Sequence, residues 1–202
     1  MNALIGRPAP VLNLSRQDGS SYRLHPGQTG RRAVVFFFAK AGAMNCVYEV
    51  THFREAIRED PLFQNIDIVG VSEDAVPKLG MLSNGHELTY PLLSDPQRVA
   101  HRAYRVQRGL FRWWVSRVTY VIDERGIVRA GLDDWAWDKH VPFVAQELQK
   151  LDREQQQAAA ASASNGTGPA SSPQISSSPG GGSAPPQEAG AVLPINGHAV
   201  VV

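Results

Sequence analysis

A run of seven apolar residues, Ala33 to Ala39, constrains the fold of this chain more than any other feature. Its letters, AVVFFFA, are rich in residues that favour strands, and no polar residue interrupts them. A strand that is apolar on both faces must be covered on both faces, which is typical of a central strand in a layered α/β domain. The run is far shorter than the roughly 20 apolar residues that cross a bilayer, so no membrane association is expected.

Strands and helices alternate around this run through the first 151 residues. Alternation of this kind, with apolar central strands, predicts an α/β fold whose sheet is covered on both faces. The predicted elements are, in order, a hairpin turning at Asp18-Gly19, the strand 33–39, a helix from Met44 or Asn45 to Pro61, a strand over 66–71, a helix over 73–83, a short strand at 91–93, a helix from Asp95-Pro96 to Tyr104, a hairpin of strands 118–122 and 127–130, and a closing helix with an apolar stripe of Val141, Val144, Leu148 and Leu151.

The composition changes at about Asp152. Residues 152–202 are rich in Gln and Ala and then in Ser, Gly and Pro. Such a segment buries too little apolar surface to offset the entropy of ordering it, roughly 1–2 kcal/mol per residue for the backbone alone. We therefore predict one domain over residues 1–151 and a low-complexity, disordered C-terminal tail over residues 152–202.

Cysteine and histidine usage narrows the chemistry. Cys46 is the single cysteine, so the chain has no intramolecular disulfide and no cysteine-based zinc cluster. The first ten residues lack the pattern of a signal peptide, and a lone cysteine fits a reducing compartment. An intracellular, cytoplasmic protein is expected, with the nucleus as the alternative. His52, His86, His101 and His140 have no metal-ligand spacing with one another or with Cys46. They are interpreted as surface or capping residues, and neither a metal nor a cofactor is expected.

A basic stretch is the main irregularity in a net charge of +1. A surface of this kind attracts nucleic acid or an acidic protein, but a solvated helix and loop surface is the favoured interpretation, and nucleic acid is not expected. Core or rim packing is likewise favoured over base stacking for the tryptophan pairs Trp113-Trp114 and Trp135–Trp137. Between Pro96 and Ile122 the chain carries six arginines and no acidic residue: Arg98, Arg102, Arg105, Arg108, Arg112 and Arg117.

Cys46 follows the central strand and a short loop, at the first turn of a predicted helix. A thiol there lies beside unpaired N–H groups and the positive end of the helix dipole, which favour a thiolate. Lowering a thiol pKa from about 8.5 to about 6 takes roughly 3–4 kcal/mol, whereas the dipole supplies about 0.3–2 kcal/mol. A cation must supply the rest. From the residues alone, a lone cysteine on an apolar helix face is more often a small core residue than a nucleophile.

Five segments, in order and in register, change that balance: GRPAP at 6–10, AVVFFFAKAGAMNC at 33–46, VGVSED at 69–74, YPLLSDP at 90–96 and RVTYVIDERG at 117–126. From Gly6 to Leu151 the chain therefore resembles the peroxiredoxin Q family, also called bacterioferritin comigratory protein.

The resemblance implies a thioredoxin-like fold, with a central mixed sheet flanked by helices, and thiol-dependent reduction of hydrogen peroxide or alkyl hydroperoxides. It assigns Cys46 as the peroxidatic cysteine and Arg117 as the residue that holds thiolate and peroxide. Asn45 and Cys46 would offer backbone N–H groups to the peroxide, Glu49 would support the site, and Ala43 occupies the position of a substrate-binding threonine. Thioredoxin, glutaredoxin or glutathione would be the reductant, and the protein would be a monomer or a weak dimer.

Three positions depart from the family pattern. Ala39 replaces the motif proline, Ala43 replaces the motif threonine, and Thr51 stands where many members carry a resolving cysteine. The last change implies a one-cysteine enzyme that is reduced by an outside thiol. The first two imply a weakened peroxidase. The alternative is a non-catalytic scaffold or redox sensor with a peroxiredoxin fold.

Overall fold

The computed structural model describes residues 3–107 and 116–164, which contain seven strands, four α-helices and two short 3-10 turns. The strands are β1 (Leu12–Arg16), β2 (Ser21–Leu24), β3 (Ala33–Phe37), β4 (Asp67–Ser72), β5 (Leu92–Ser94), β6 (Val118–Ile122) and β7 (Val128–Asp133). The helices are α1 (Met44–Glu59), α2 (Val76–Gly85), α3 (Val99–Ala103) and α4 (His140–Ser164), and the 3-10 turns are Pro61–Phe63 and Trp137–Lys139.

The seven strands form one mixed sheet in the order β2-β1-β5-β4-β3-β6-β7. Strand β3 lies inside the sheet, parallel to β4 on one side and antiparallel to β6 on the other, and every residue of β3 is buried. This confirms the central strand and the mixed α/β sheet expected from the sequence. Both predicted hairpins, β1–β2 and β6–β7, form antiparallel pairs.

Alternating side chains of β3 divide the core between the two faces of the sheet, as the strand period of two requires. Val34 and Phe36 belong to the cluster that also contains buried residues of α1, α2 and α4. Val35 and Phe37 belong to the opposite cluster, which includes Ala100 of α3. The sheet is therefore covered on both faces.

The start of α3 differs from the prediction. Asp95-Pro96 has the pattern of an N-cap followed by proline, but the helix begins three residues later, at Val99. Arg98, in the left-handed region with φ of 57°, interrupts the backbone before it. The Asp95 carboxylate still acts on the helix start, since it accepts hydrogen bonds from the N–H groups of Val99 (2.6 Å) and His101 (2.9 Å).

Helix α4 is longer than predicted. The expected tail boundary at residue 152 is wrong for residues 152–164, which continue the helix to Ser164. Two acidic residues of this extension tie it to the domain: Asp152 contacts Arg32 at 2.5 Å and Glu154 contacts Arg129 at 2.5 Å. These pairs supply fixed contacts that composition alone does not reveal. Residues 165–202 lie outside the described part of the chain, and the prediction for them stays a prediction.

The arginine-rich stretch does not form one solvated face. Arg98 pairs with Glu73 and also donates to the Val106 carbonyl, while Arg117 is buried. Arg108 and Arg112 lie outside the described residues, as does the Trp113-Trp114 pair. Within residues 3–107 and 116–164, no helix has the length and apolar character of a membrane span, and no cluster of three metal-ligating side chains occurs.

Candidate active site

Cys46 lies in the first turn of α1, directly after the loop that follows β3, and its side chain is fully buried. The helix starts at an extended N-cap residue, Ala43, whose carbonyl accepts from the N–H groups of Cys46 (2.8 Å) and Val47 (3.0 Å). Ala43 has no side-chain group that could cap the helix. The first turn of α1 follows β3 after a short loop, and the Cys46 sulfur lies near the end of that strand.

The loop before Cys46 is held by an aspartate that lies in the connection after another strand. Asp74, which follows β4, accepts the Ala41 N–H at 2.5 Å. The same carboxylate accepts from the Ser72 hydroxyl at 2.9 Å and from Lys78 at 2.8 Å. These donors hold the pKa of Asp74 below its usual value although burial opposes them. Because α1 lacks a side-chain cap, this anchor fixes the approach to Cys46 from outside the loop.

Arg117 reaches the sulfur because of the strand register. Strand β6 pairs with β3 so that Val118 lies opposite Phe37, which places the preceding residue, Arg117, beside the start of the cysteine loop. Its Nη2 lies 2.9 Å from Cys46 Sγ, its Nε donates to Glu49 Oε2 at 2.9 Å, and its Nη1 donates to the Trp135 carbonyl at 2.9 Å. All three guanidinium nitrogens are therefore engaged, and the cation is fixed against the sulfur.

Glu49 is the second acidic group of the site, beside the Cys46 thiol. It lies three residues after Cys46, so both side chains are on one face of α1, and it is completely buried. Oε2 accepts from Arg117, whereas Oε1 has no hydrogen-bond partner within the described part of the chain. Burial raises the pKa of Glu49 to about 8, and the opposing effect of the Arg117 charge is smaller.

A histidine lies behind Glu49. His140, the first residue of α4, is fully buried, with Nδ1 3.9 Å from Glu49 Oε1. Its Nε2 contacts the Asp134 carbonyl at 2.9 Å and its Nδ1 contacts the Thr119 hydroxyl at 2.7 Å. A carbonyl can only accept, so Nε2 carries a proton. Burial lowers the pKa of His140 and so favours the neutral ring, in which Nδ1 accepts from the Thr119 hydroxyl.

The structure brings together three of the five site residues predicted from the sequence: Cys46, Arg117 and Glu49. Ala43 and Asn45 are exposed at the helix start, so their predicted contacts with substrate stay predictions. The Cys46 N–H, expected to face a peroxide, donates instead to the Ala43 carbonyl.

Two histidines correct the sequence interpretation. His101 and His140 were predicted to be surface or capping residues, but both are fully buried. His101 packs on the other face of the sheet, where its Nδ1 lies 2.8 Å from Asp95 Oδ2. His140 contacts the site only because α4 docks beside β6, and no local sequence pattern reports that docking. Asp74 could have been found, since it ends the VGVSED segment.

Several large apolar and aromatic side chains near the site are exposed. Trp135, whose carbonyl binds Arg117, has a side chain that is 79% exposed, so the predicted packing role is wrong for this residue. Trp137 does pack, against Tyr48 with ring centroids 5.1 Å apart. Met44 and Tyr48 add further exposed surface on α1. Exposed apolar and aromatic side chains therefore lie on the helix that carries the sulfur and beside the Arg117 contact.

Comparison with known proteins shows which proteins this chain resembles in sequence and structure. The sequence profile of the AhpC/TSA family matches residues 5–131. Peroxiredoxin Bcp of Bacillus subtilis is 29% identical over 158 residues, covering 75% of this chain and 96% of that protein. The chloroplastic peroxiredoxin Q of Suaeda salsa is 26% identical over 147 residues, 72% of this chain and 68% of that protein. The crystal structure of peroxidoxin BcpB from Mycobacterium tuberculosis superposes with a TM-score of 0.65 at 29% identity, covering 72% of this chain and 96% of that one.

A thioredoxin-like domain with a cysteine at the first turn of α1 and an arginine beside it defines the class, and relatives named peroxiredoxins support a thiol peroxidase function. The chain belongs to the AhpC/TSA family. This confirms the resemblance to peroxiredoxin Q that the five sequence segments indicated.

Proposed function

We propose that this protein is a one-cysteine thiol peroxidase that reduces hydrogen peroxide or an alkyl hydroperoxide through Cys46. The observation that carries the proposal is the 2.9 Å contact between Arg117 Nη2 and Cys46 Sγ. A guanidinium at that distance stabilises a thiolate, which is the nucleophilic form of cysteine.

The chemistry is an in-line displacement on the peroxide. The Cys46 thiolate attacks one peroxide oxygen, the S–O bond forms as the O–O bond breaks, and the leaving oxygen takes up a proton as water or an alcohol. The sulfur becomes a sulfenic acid. Arg117 is placed to stabilise both the thiolate and the negative charge that develops on the leaving oxygen. Backbone N–H groups at the start of α1, including that of Asn45, are the further donors we assign to the peroxide.

Recovery of the thiol needs an outside reductant. The chain has one cysteine, so the sulfenic acid cannot form a disulfide within the molecule. Thr51, at the position of a resolving cysteine in many relatives, donates its hydroxyl to the Val47 carbonyl at 2.9 Å and has no redox role. Thioredoxin, glutaredoxin or glutathione fits this requirement, and thioredoxin is the reductant we propose, acting in the cytoplasm.

The site is expected to be slower than one with the complete family motif. Ala43 lacks the hydroxyl that would contact sulfur and peroxide, and a hydrogen bond to a charged group contributes roughly 1.5–3 kcal/mol. A loss of that size in the transition state slows a reaction about ten- to a hundredfold. Ala39 also lacks the proline ring that would shield the sulfur.

The test is to trap the sulfenic acid. Purified protein is mixed with hydrogen peroxide or an alkyl hydroperoxide in the presence of a dimedone reagent, and the adduct is followed by mass spectrometry. We expect an adduct on Cys46 that forms faster than that of free cysteine, and no adduct in Cys46→Ser. A rate no greater than that of free cysteine would favour the alternative function, a scaffold or redox sensor without peroxidase activity.

A further inference from the structure

We propose that Glu49 is protonated whenever Cys46 is a thiolate, so that Arg117, the cation between them, faces one anion instead of two. The inference rests on the proposed function, because it concerns the state of the same sulfur. It makes Glu49 a positioning residue whose protonation leaves the charge of Arg117 available to sulfur.

The first argument is a count of charges. Glu49 is faced by Cys46 on its own helix, by Arg117 just before β6, by His140 at the start of α4 and by Tyr90 before β5. Burial lowers the pKa of His140, so its ring is neutral at neutral pH, and burial raises the pKa of Tyr90 well above its usual value, so its phenol is neutral too. Among the described residues around the pair, Arg117 is therefore the cation that two acids share.

The second argument is the geometry of that cation. Nη2 contacts Cys46 Sγ and Nε contacts Glu49 Oε2, both at 2.9 Å. Both acids are completely buried. If both were ionised, two anions would share one guanidinium in a site without solvent, and an uncompensated buried charge is costly.

The third argument is the environment of Glu49 Oε1. This oxygen is buried and has no hydrogen-bond donor among the described residues, and the nearest ring nitrogen, His140 Nδ1 at 3.9 Å, already accepts from Thr119. A carboxylate oxygen would be poorly stabilised there, whereas a carboxyl group can carry its proton on it. The pKa of Glu49, raised to about 8 by burial, agrees with a proton held at neutral pH.

The consequence is competition at higher pH. When Glu49 loses its proton, its negative charge competes with the sulfur for Arg117. Peroxide reduction should then decline above about pH 8, the value to which burial raises the pKa of Glu49. One pH unit above that value about a tenth of Glu49 is protonated, so the decline approaches roughly tenfold.

The experiment compares wild type with Glu49→Gln, which can accept from Arg117 Nε but cannot ionise. Glu55→Gln is the matched control, because Glu55 lies on the same helix and pairs with Arg54 and Arg58 at the surface. The rate of sulfenic acid formation is measured from pH 6 to 10. We expect the decline at high pH in wild type and Glu55→Gln and its absence in Glu49→Gln. The same decline in Glu49→Gln would overturn the proposal.

An infrared measurement separates this proposal from the proposed function and does not depend on a folded Glu49→Gln protein. Wild type should show the carbonyl band of a protonated carboxyl group at pH 7, fading as the pH rises. In Cys46→Ser the competing thiolate is gone, so the band should fade at lower pH. The proposal would be overturned if wild type showed no band, or if the band faded at the same pH in Cys46→Ser as in wild type. Either result would count whether or not the protein reduces peroxide.

Discussion

Three residues define the chemical centre, and two constraints bring them together. Cys46 and Glu49 are brought together by the spacing of α1, whereas Arg117 arrives through the register of β6 on β3. The helix spacing is local and could be predicted from the sequence. Arg117 lies 71 residues from Cys46 in the sequence, and only the family resemblance made the arginine predictable.

Ala43→Thr is the residue-scale prediction. The new hydroxyl would lie at the N-cap of α1, where it can cap the helix and contact peroxide and sulfur. We expect the rate of sulfenic acid formation to rise about ten- to a hundredfold, the effect of one hydrogen bond to a charged group. Rapid mixing with hydrogen peroxide followed by dimedone trapping measures it.

The control for this substitution is Ala103→Thr, at the end of α3 on the opposite face of the sheet, where a hydroxyl cannot reach the sulfur. A rate of peroxide consumption that neither Ala43→Thr nor Cys46→Ser alters would contradict the enzyme and favour the scaffold.

The elements of the sheet were largely predictable because their patterns are local. A fully apolar run indicated β3, a mostly apolar run indicated β4, and Asp18-Gly19 indicated the first hairpin. The start of α3 was not predictable in the same way, because Asp95-Pro96 matches a helix start although Arg98 leaves the helical region. Tertiary contacts of Arg98 with Glu73 and Val106 accompany that backbone conformation.

The loop before α1 depends on a neighbouring element, which leads to a prediction for Asp74. Asp74→Ala removes the acceptor of the Ala41 N–H, so the loop should loosen and the cysteine turn should lose its position. We expect the peroxide rate to fall about tenfold, as for one charge-assisted hydrogen bond. The measurement is sulfenic acid formation at constant peroxide concentration.

Lys78→Ala is the matched control, because it removes only the half-exposed partner of Asp74 and leaves the bond to Ala41 intact. Equal losses in Asp74→Ala and Lys78→Ala would show that the loop anchor does not matter to the chemistry.

At the scale of the whole domain, ion pairs that cannot be seen in the composition hold α4 against the sheet. Arg32 joins Glu124 of the β6–β7 turn to Asp152 of α4, so the helical extension belongs to the folded unit. The sequence predicted the apolar part of α4 correctly, through Leu151, because burial leaves a periodic pattern. Ion pairs leave no such pattern, and residues 152–164 were therefore assigned to the tail.

Global stability should carry the signature of the buried carboxyl group. The pKa of Glu49 is about 8 in the folded protein against 4.5 in the unfolded chain, so the folded state binds more protons between these values. Its contribution is most favourable below about pH 4.5 and is lost as the pH rises through 8. We therefore expect the free energy of unfolding of wild type, relative to that of Glu49→Gln, to fall across this range.

Urea denaturation at a series of pH values measures this difference. Subtracting the variant removes the contributions of other groups, among them His140, whose lowered pKa makes the folded protein less stable as the pH falls. A difference between wild type and Glu49→Gln that is flat from pH 4.5 to 8 would contradict a neutral Glu49.

The burial of the single sulfur has a consequence for the life of the molecule. Once oxidised, Cys46 has no second cysteine in its own chain, and its side chain is closed to any partner as large as a protein. We therefore expect reduction by thioredoxin, the reductant proposed above, to require a local opening of the first turn of α1, whose frequency would set the pace of recycling. A small thiol would need less of that opening than a protein.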